Sequence, residues 1–323
     1  MRFIQFILSN LLRFKYLGIL LLALLPTVFL NQTPVDNYQP QAIYMLAAVF
    51  CFLLFSVRFT SQISCLIVLS LFYNFLFLHY KNDLFIEFLF MAFFYSTVHL
   101  ILLNRRNLRY VIPVLIAMVL MLKPIGIALL LAYVGYLVVF RLQTKKQKFL
   151  EIGLVLLLAA LTVFVFYRSL PQGMIRYVWN KSGYAELAQQ HWDTVLAKLL
   201  FNLKLYPGCI LNFFEQDLPG FMVGTIQVVS VLMFFIGLYF SLKNQFGFID
   251  TVFLAYVMGL VLIPCNAFRQ LMPIMPLFFY YMANSILSAS NFLVLYLQHR
   301  FAIWFFVILL LGNAYSIWLM YGA

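Results

Sequence analysis

Residues 108–140 read LRYVIPVLIAMVLMLKPIGIALLLAYVGYLVVF, and this stretch decides the class of fold. It is almost entirely apolar and long enough for two membrane crossings, since one crossing needs about 20 mostly apolar residues or somewhat fewer. Lys123-Pro124 interrupts it, because proline lacks a backbone donor and breaks a helix. The sequence leaves two arrangements open at this point, namely two short helices or one broken hairpin.

The composition of the whole chain is typical of a membrane protein. Apolar residues make up 65% of the 323 positions, charged residues make up 9%, and the mean hydropathy is +1.00. A soluble domain carries roughly a quarter charged residues. We therefore expect an all-α, polytopic transmembrane helical bundle with about 11 spans, forming a single integral membrane domain over residues 1–323. The predicted spans are 14–30, 41–57, 62–79, 84–103, 108–122, 125–140, 150–167, 221–241, 248–265, 270–290 and 301–320.

Basic residues are concentrated in every second connection between the predicted spans. Most of the 21 Lys and Arg residues fall on the side of the N-terminus, and most of the nine acidic residues fall on the other side. Because short loops rich in Lys and Arg stay in the cytoplasm, we predict a cytoplasmic N-terminus, in a bacterial inner (plasma) membrane. These topology signals account for the net charge of +12, so nucleic acid is not expected as a partner.

One long connection, residues 168–220, is predicted to lie on the outer side of the membrane. It contains Trp179, Trp192 and apolar stretches such as residues 195–205. This composition favours interfacial amphipathic helices that lie on the outer leaflet. Arg168 and Arg176 belong to this loop and are candidate substrate-binding residues.

Three acidic residues at the outer boundary are candidate catalytic groups. Asp36 lies in the first outer loop and has the chemistry of a general base towards an acceptor hydroxyl or amine, or of a plain turn residue. Asp83 stands at the start of the fourth span, where the simpler explanation is a helix N-cap. Glu87 lies one helical turn further into the membrane, where an acid usually faces a cavity or a partner.

Two cations near the same boundary are candidate binding groups for a phosphate. Lys123 stands at the helix break, and a broken backbone within a membrane is tolerated where it lines a cavity. Arg269 precedes a proline-rich start of the tenth span and has the paired donors that hold phosphate oxygens. The alternative for both residues is a side chain that extends to the membrane interface.

Neither the histidines nor the cysteines predict a metal site. The four histidines have no ligand spacing, and the four cysteines are scattered along the chain. No cofactor is certain from the sequence, and a divalent metal ion held by the outer acids is left open.

The order of these elements resembles GT-C-type polytopic glycosyltransferases, the group that includes protein mannosyltransferases and bacterial lipid-A aminoarabinose transferases. That group has an acid at the start of a span, a basic inner loop, a Lys/Arg-Pro-x-Gly break, and an Arg-x-x-x-Pro-x-x-Pro start of a late span. The corresponding segments here are Asp83 with Glu87, Arg105-Arg106-Asn107-Leu108-Arg109, Lys123-Pro124-Ile125-Gly126 and Arg269-Gln270-Leu271-Met272-Pro273-Ile274-Met275-Pro276. Asp36 is the acid that corresponds to the catalytic aspartate of the group's first outer loop.

The resemblance implies a membrane glycosyltransferase that moves a sugar from a polyprenyl-phosphate donor to a glycan, lipid or protein acceptor at the extracytoplasmic face. Asp36 would deprotonate the acceptor, and Asp83 or Glu87 would orient the acceptor or a metal ion. Lys123 and Arg269 would stabilise the charge that develops on the departing lipid phosphate.

Other classes of membrane protein remain open. A polysaccharide polymerase or ligase would depend chiefly on Arg168 and Arg176, whereas Asp36 would be dispensable. A flippase would need charges along a path through the bundle, and the predicted spans hold almost none. A small-molecule transporter often has broken helices at corresponding positions in two halves, and the sequence shows one clear break, at Lys123-Pro124.

Overall fold

The computed structural model describes residues 14–25, 39–74, 77–78, 85–103, 111–139, 145–169, 172, 195–213, 220–244, 246–262, 267–288 and 295–321. Within these ranges the regular structure is helical throughout and contains no β-strand. The all-α class is therefore confirmed for the described part of the chain.

The labelled helices follow the predicted apolar runs along the chain. In order they are α1 (Phe14–Leu25), α2 (Gln39–Arg58), α3 (Ser61–Phe72), α4 (Phe85–Leu103), α5 (Val111–Leu122), a 3-10 turn (Pro124–Gly126), α6 (Ile127–Val139), α7 (Lys145–Ser169), α8 (Val195–Phe213), α9 (Gly220–Asn244), α10 (Phe248–Leu262), α11 (Ala267–Leu271), a second 3-10 turn (Met272–Ile274), α12 (Met275–Ser288) and α13 (Leu295–Tyr321).

Five helical segments in the described ranges are long and apolar enough to cross a membrane. They are Gln41–Arg58, Ile86–Leu103, Val223–Asn244, Arg269–Ser288 and His299–Leu319. The other apolar helices are shorter, and the total of about 11 spans stays a prediction. Several long apolar helices in one chain indicate an integral membrane protein.

The surface of these helices is apolar, as expected where lipid is the solvent. On α9, Phe235 is 59% exposed, and on α13, Trp304 and Trp318 are 65% and 62% exposed. Large exposed apolar areas of this kind are rare on soluble monomers. The exposed residues therefore agree with the membrane assignment that the composition gave.

The chain divides into two compact units, and the first comprises Met1–Phe85, Ile210–Asn244 and Met275–Ala323. Polar side chains join its helices through backbone carbonyls. The Ser70 hydroxyl on α3 donates to the carbonyl of Phe306 on α13 at 2.9 Å, and Asn313 Nδ2 on α13 donates back to the carbonyl of Ser70 at 2.7 Å. Such reciprocal bonds hold neighbouring helices together where no water can satisfy the polar groups.

The second unit comprises Ile86–Cys209 and Gln245–Ile274. In it α5 packs against α7, and α6 packs against α10. Tyr133 and Tyr136 on α6 contact the ring of Phe248 on α10, with centroids 6.5 Å and 5.1 Å apart. Three residues that the sequence singles out, Glu87, Lys123 and Arg269, belong to this unit.

Candidate functional site

The helix break predicted at Lys123-Pro124 is present and is buried within the protein. The backbone of Lys123 is extended, with φ −152° and ψ 141°, because the ring of the following proline disfavours a helical conformation at this position. Pro124, Ile125 and Gly126 then form one turn of 3-10 helix, closed by the Gly126 N–H, which donates to the Lys123 carbonyl at 3.0 Å. All four residues are buried, the condition under which irregular backbone is tolerated at membrane depth.

Gly126 allows this break to close tightly. A Cβ at this position would lie 2.7 Å from the carbonyl oxygen of Val119 and 2.9 Å from its Cγ1. Real side chains do not approach a backbone oxygen so closely, so only glycine fits here without a shift of α5. The Lys-Pro-x-Gly pattern therefore has a local structural reason: proline ends the helix and glycine lets the next one start beside it.

Lys123 forms a buried ion pair with Glu87 of α4. Lys123 Nζ lies 3.2 Å from Glu87 Oε1, and the two side chains are 1% and 2% exposed. The two atoms are at ion-pair distance without the alignment of a hydrogen bond, since Oε1 has no hydrogen-bond donor among the described residues. The contact is thus chiefly electrostatic, and each charge makes the burial of the other tolerable.

The same ammonium group also contacts the backbone of Arg269. Lys123 Nζ donates to the carbonyl oxygen of Arg269 at 3.2 Å. Arg269 lies on the short helix α11, and its side chain is half-buried. Lys123 therefore connects α4, the helix break and α11, and it holds the backbone that carries the arginine.

The carboxyl-terminal end of α10 supports this cluster. The Tyr256 hydroxyl donates to the carbonyl of Gln270 at 2.9 Å, which fixes α11 beside α10. A Cβ on Gly259 would lie 2.7 Å from Ile125 Cδ1, so the same end of α10 contacts the helix break. Asn202 Nδ2 of α8 donates to the carbonyls of Leu260 and Val261, at 3.4 and 3.2 Å, and so satisfies carbonyls at the end of α10.

Helix α4 also contacts the segment that begins with α11. One face of α4 presents Glu87 to Lys123 and, two turns further on, the Tyr95 hydroxyl to the carbonyl of Pro273. The neighbouring Phe94 ring meets the Tyr256 ring edge to face at 5.7 Å. The segment from Arg269 to Pro273 is therefore held by contacts with Lys123, α10 and α4.

The structure brings together three of the seven predicted site residues. Glu87, Lys123 and the backbone of Arg269 meet in one cluster. Arg168 is exposed near the end of α7, where its guanidinium carbon lies 5.6 Å from the centroid of the Phe164 ring. The remaining three, Asp36, Asp83 and Arg176, lie outside the described residues.

Two further residues of the cluster carry no signal that marks them as functional in the sequence. Gln270 and Tyr256 are buried polar residues in apolar segments, 3% and 0% exposed. Tyrosine is abundant throughout this chain, with 20 copies, so its presence in a span is uninformative. The position of Gln270 directly after Arg269 is the one feature that could have drawn attention to it.

Metal binding has no support within the described residues. No three His, Cys, Asp or Glu side chains come together there in the manner of a metal site. In the described cluster, the only carboxylate of the predicted set is that of Glu87, and it is already paired with a cation.

Comparison of the chain with protein-family models, curated proteins and solved structures gives no match.

Proposed function

We propose that this protein is a membrane glycosyltransferase that moves a sugar from a polyprenyl-phosphate donor to an acceptor at the extracytoplasmic face. The observation that carries the proposal is the meeting of Glu87, Lys123 and Arg269 in one cluster. They come from three separate segments, which are three of the four segments in which the GT-C resemblance lies. The GT-C architecture, the about 11 spans and the cytoplasmic N-terminus belong to the same proposal.

The reaction requires a cation at the leaving group. The bond between the anomeric carbon and the lipid phosphate breaks, a new bond forms from that carbon to the acceptor oxygen or nitrogen, and the acceptor proton passes to the carboxylate of Asp36. Negative charge develops on the departing polyprenyl phosphate. A preorganised cation at that position stabilises the transition state more than the ground state.

Arg269 and Lys123 divide this task in the proposal. The side chain of Arg269 is the more accessible of the two, and its guanidinium has the fork geometry that suits phosphate oxygens. Lys123 is 1% exposed, is paired with Glu87 and holds the Arg269 backbone, so we assign it the role of a positioning residue. The structural pairing with Glu87 is compatible with that role.

Replacement of Arg269 tests the proposal. In proteoliposomes supplied with a panel of polyprenyl-phosphate hexoses, R269A should release polyprenyl phosphate about 100-fold more slowly than wild type, because one preorganised donor group is lost. R269K should fall between the two, since lysine keeps the charge but loses the paired donors. Release is measured by chromatography of the lipid products.

The matched control is R58A, which removes an exposed arginine at the end of α2. It should leave the rate unchanged. R168A distinguishes the proposed glycosyltransferase from a ligase or polymerase. A ligase or polymerase depends on Arg168, so its R168A variant would lose activity and its R269A variant would stay active. A wild-type protein that releases no polyprenyl phosphate from any donor of the panel would contradict the proposal.

The predicted orientation can be tested with Cys209, which lies on α8 in the predicted outer loop. Burial raises the pKa of its thiol above the ordinary value, so less thiolate is present at pH 7 than in a free cysteine. In a variant with Cys51, Cys65 and Cys265 replaced by alanine, a membrane-impermeant maleimide should label Cys209 on intact cells. The labelling rate should rise about tenfold per pH unit between pH 7 and 8.5, because only the thiolate reacts.

The control for orientation is a cysteine at Lys243, in a predicted inner connection. K243C, made in a cysteine-free background, should be labelled only after the cells are permeabilised. The reverse pattern, with K243C labelled on intact cells and Cys209 protected, would show that the chain has the opposite orientation.

A further inference from the structure

Gln270 has a buried side-chain oxygen for which the described residues provide no hydrogen-bond donor. The residue lies on α11 beside Arg269 and is 3% exposed. Its backbone carbonyl accepts from Tyr256, but its side-chain Oε1 has no donor among the residues that the structure describes. A buried acceptor left in this way lowers the stability of the folded protein, so its retention calls for a reason.

The ion pair of Lys123 and Glu87 belongs to the same cluster. Glu87 Oε1 lies 3.2 Å from Lys123 Nζ but accepts no hydrogen bond from a described residue. Lys123 in turn contacts the carbonyl of Arg269, the residue next to Gln270. Gln270 therefore directly follows the residue whose backbone Lys123 contacts, and its amide oxygen has no ionic partner, unlike the carboxylate of Glu87.

The chemistry of these groups selects a ligand that carries hydrogen-bond donors. A phosphate oxygen is itself a hydrogen-bond acceptor and would gain nothing from the amide oxygen of Gln270, so in this proposal the phosphate lies at Arg269. Among the described residues of this cluster, a metal ion would find one carboxylate, and it is already paired with Lys123. Sugar hydroxyls are neutral donors, and several are present on one small ring.

We propose that Gln270 is a specificity-determining residue that accepts a hydrogen bond from a hydroxyl of the donor sugar. This inference rests on the proposed function and extends it to the recognition of the sugar. A phosphate oxygen held by Arg269 is three bonds from the anomeric carbon, through phosphorus and the bridging oxygen, and adjacent residues are about 3.8 Å apart at Cα. The sugar of a donor bound at Arg269 therefore lies within reach of the next residue along α11.

The test compares Q270M with wild type on two sets of donors, intact polyprenyl-phosphate hexoses and their monodeoxy analogues. Methionine keeps the length of the side chain and removes both polar atoms. Wild type should prefer an intact donor over one of its monodeoxy analogues by about tenfold or more in kcat/KM, since the lost hydroxyl leaves Gln270 unpaired. In Q270M the ratio of the two kcat/KM values should fall to nearly one, because kcat/KM decreases for the intact donor and stays the same for the monodeoxy donor.

Thermal unfolding provides a second measurement. If Gln270 only stabilised the fold, Q270M would unfold at a lower temperature than wild type. Q270M should unfold at the same temperature as wild type or higher, because the unsatisfied acceptor is gone. The matched control is S230A, since Ser230 on α9 is also fully buried, with a hydroxyl that has no partner in the described ranges. S230A should keep the donor preference of wild type.

The outcomes separate the two proposals. If wild type releases polyprenyl phosphate but shows no preference for any intact donor, or if Q270M keeps the preference, the role of Gln270 is wrong and the proposed function stands. If wild type releases none from any donor, the proposed function fails and this inference fails with it. If Q270M does not fold, Q270L is used in its place. The preference of wild type for intact over monodeoxy donors is measured independently of any variant.

Discussion

K123M should destabilise the protein by about 3–5 kcal/mol, because it leaves the carboxylate of Glu87 buried without a partner. E87Q should cost a similar amount, since it leaves the Lys123 ammonium buried in a site where both side chains are at most 2% exposed. The double variant E87Q/K123M should recover most of the loss, because it contains no buried charge at this site. Thermal unfolding in detergent, with the fraction of monodisperse protein after solubilisation, measures the three variants.

The control is K243M, which removes an exposed lysine from the last turn of α9. It should change the unfolding temperature very little, as surface charges contribute little to stability. If K123M and E87Q unfold at the wild-type temperature, or if their effects simply add in the double variant, the two residues do not form the pair seen here.

The double variant also separates a structural pair from a functional one. If the pair only stabilises the fold, E87Q/K123M should be both folded and active. If Lys123 positions Arg269 for the donor phosphate, the double variant should be folded yet release polyprenyl phosphate at least tenfold more slowly, as expected when a group that aligns the site is lost. The sequence left open whether Glu87 has a functional role or a structural pairing, and a folded double variant that keeps full activity would favour the structural pairing.

The helices could be predicted from the sequence because lipid imposes one simple rule on each of them. A segment at membrane depth must satisfy its own backbone groups, so every long apolar run becomes a helix. The break at Lys123-Pro124 was equally predictable, since proline acts through its own ring and its missing donor. Apolar content cannot say how many helices cross the membrane, because a short helix and a full span have the same composition.

The partners of the charged residues could not be predicted in the same way. Glu87 and Lys123 lie on different helices, and their pairing depends on how α4 packs in the second unit rather than on their own neighbours in the chain. The sequence suggested that Lys123 reaches the membrane interface or a phosphate. Its 1% exposure contradicts the interfacial alternative and assigns it first to a carboxylate and a backbone carbonyl.

Helix spacing in the first unit depends on a residue that sequence analysis did not mark at all. Gly237 on α9 faces α12, where Asn284 Nδ2 donates to the Gly237 carbonyl at 3.2 Å and Phe234 stacks on Phe278 with centroids 4.3 Å apart. Small residues at such crossings let helix backbones approach closely, which favours association within lipid. Neither the glycine nor the asparagine belongs to a pattern that predicts this contact.

G237A should therefore be among the most damaging single substitutions in the chain. An added Cβ would lie 1.8 Å from the carbonyl oxygen of Tyr281 and 3.0 Å from the backbone nitrogen of Ser285, and no side-chain rotation can relieve contacts with backbone atoms. The two helices must separate, so we expect a loss of about 3 kcal/mol or more in the free energy of unfolding.

G224A, on the same helix, is the matched control, because a Cβ there has no neighbour within 4 Å. It should stabilise the protein slightly, by up to about 1 kcal/mol, since alanine is the better helix former. The two substitutions are identical and lie on one helix, so helix propensity affects both in the same way. Opposite changes in stability would therefore be due to helix packing. Equal unfolding temperatures for G237A and G224A would contradict the close approach of α9 and α12 in this unit.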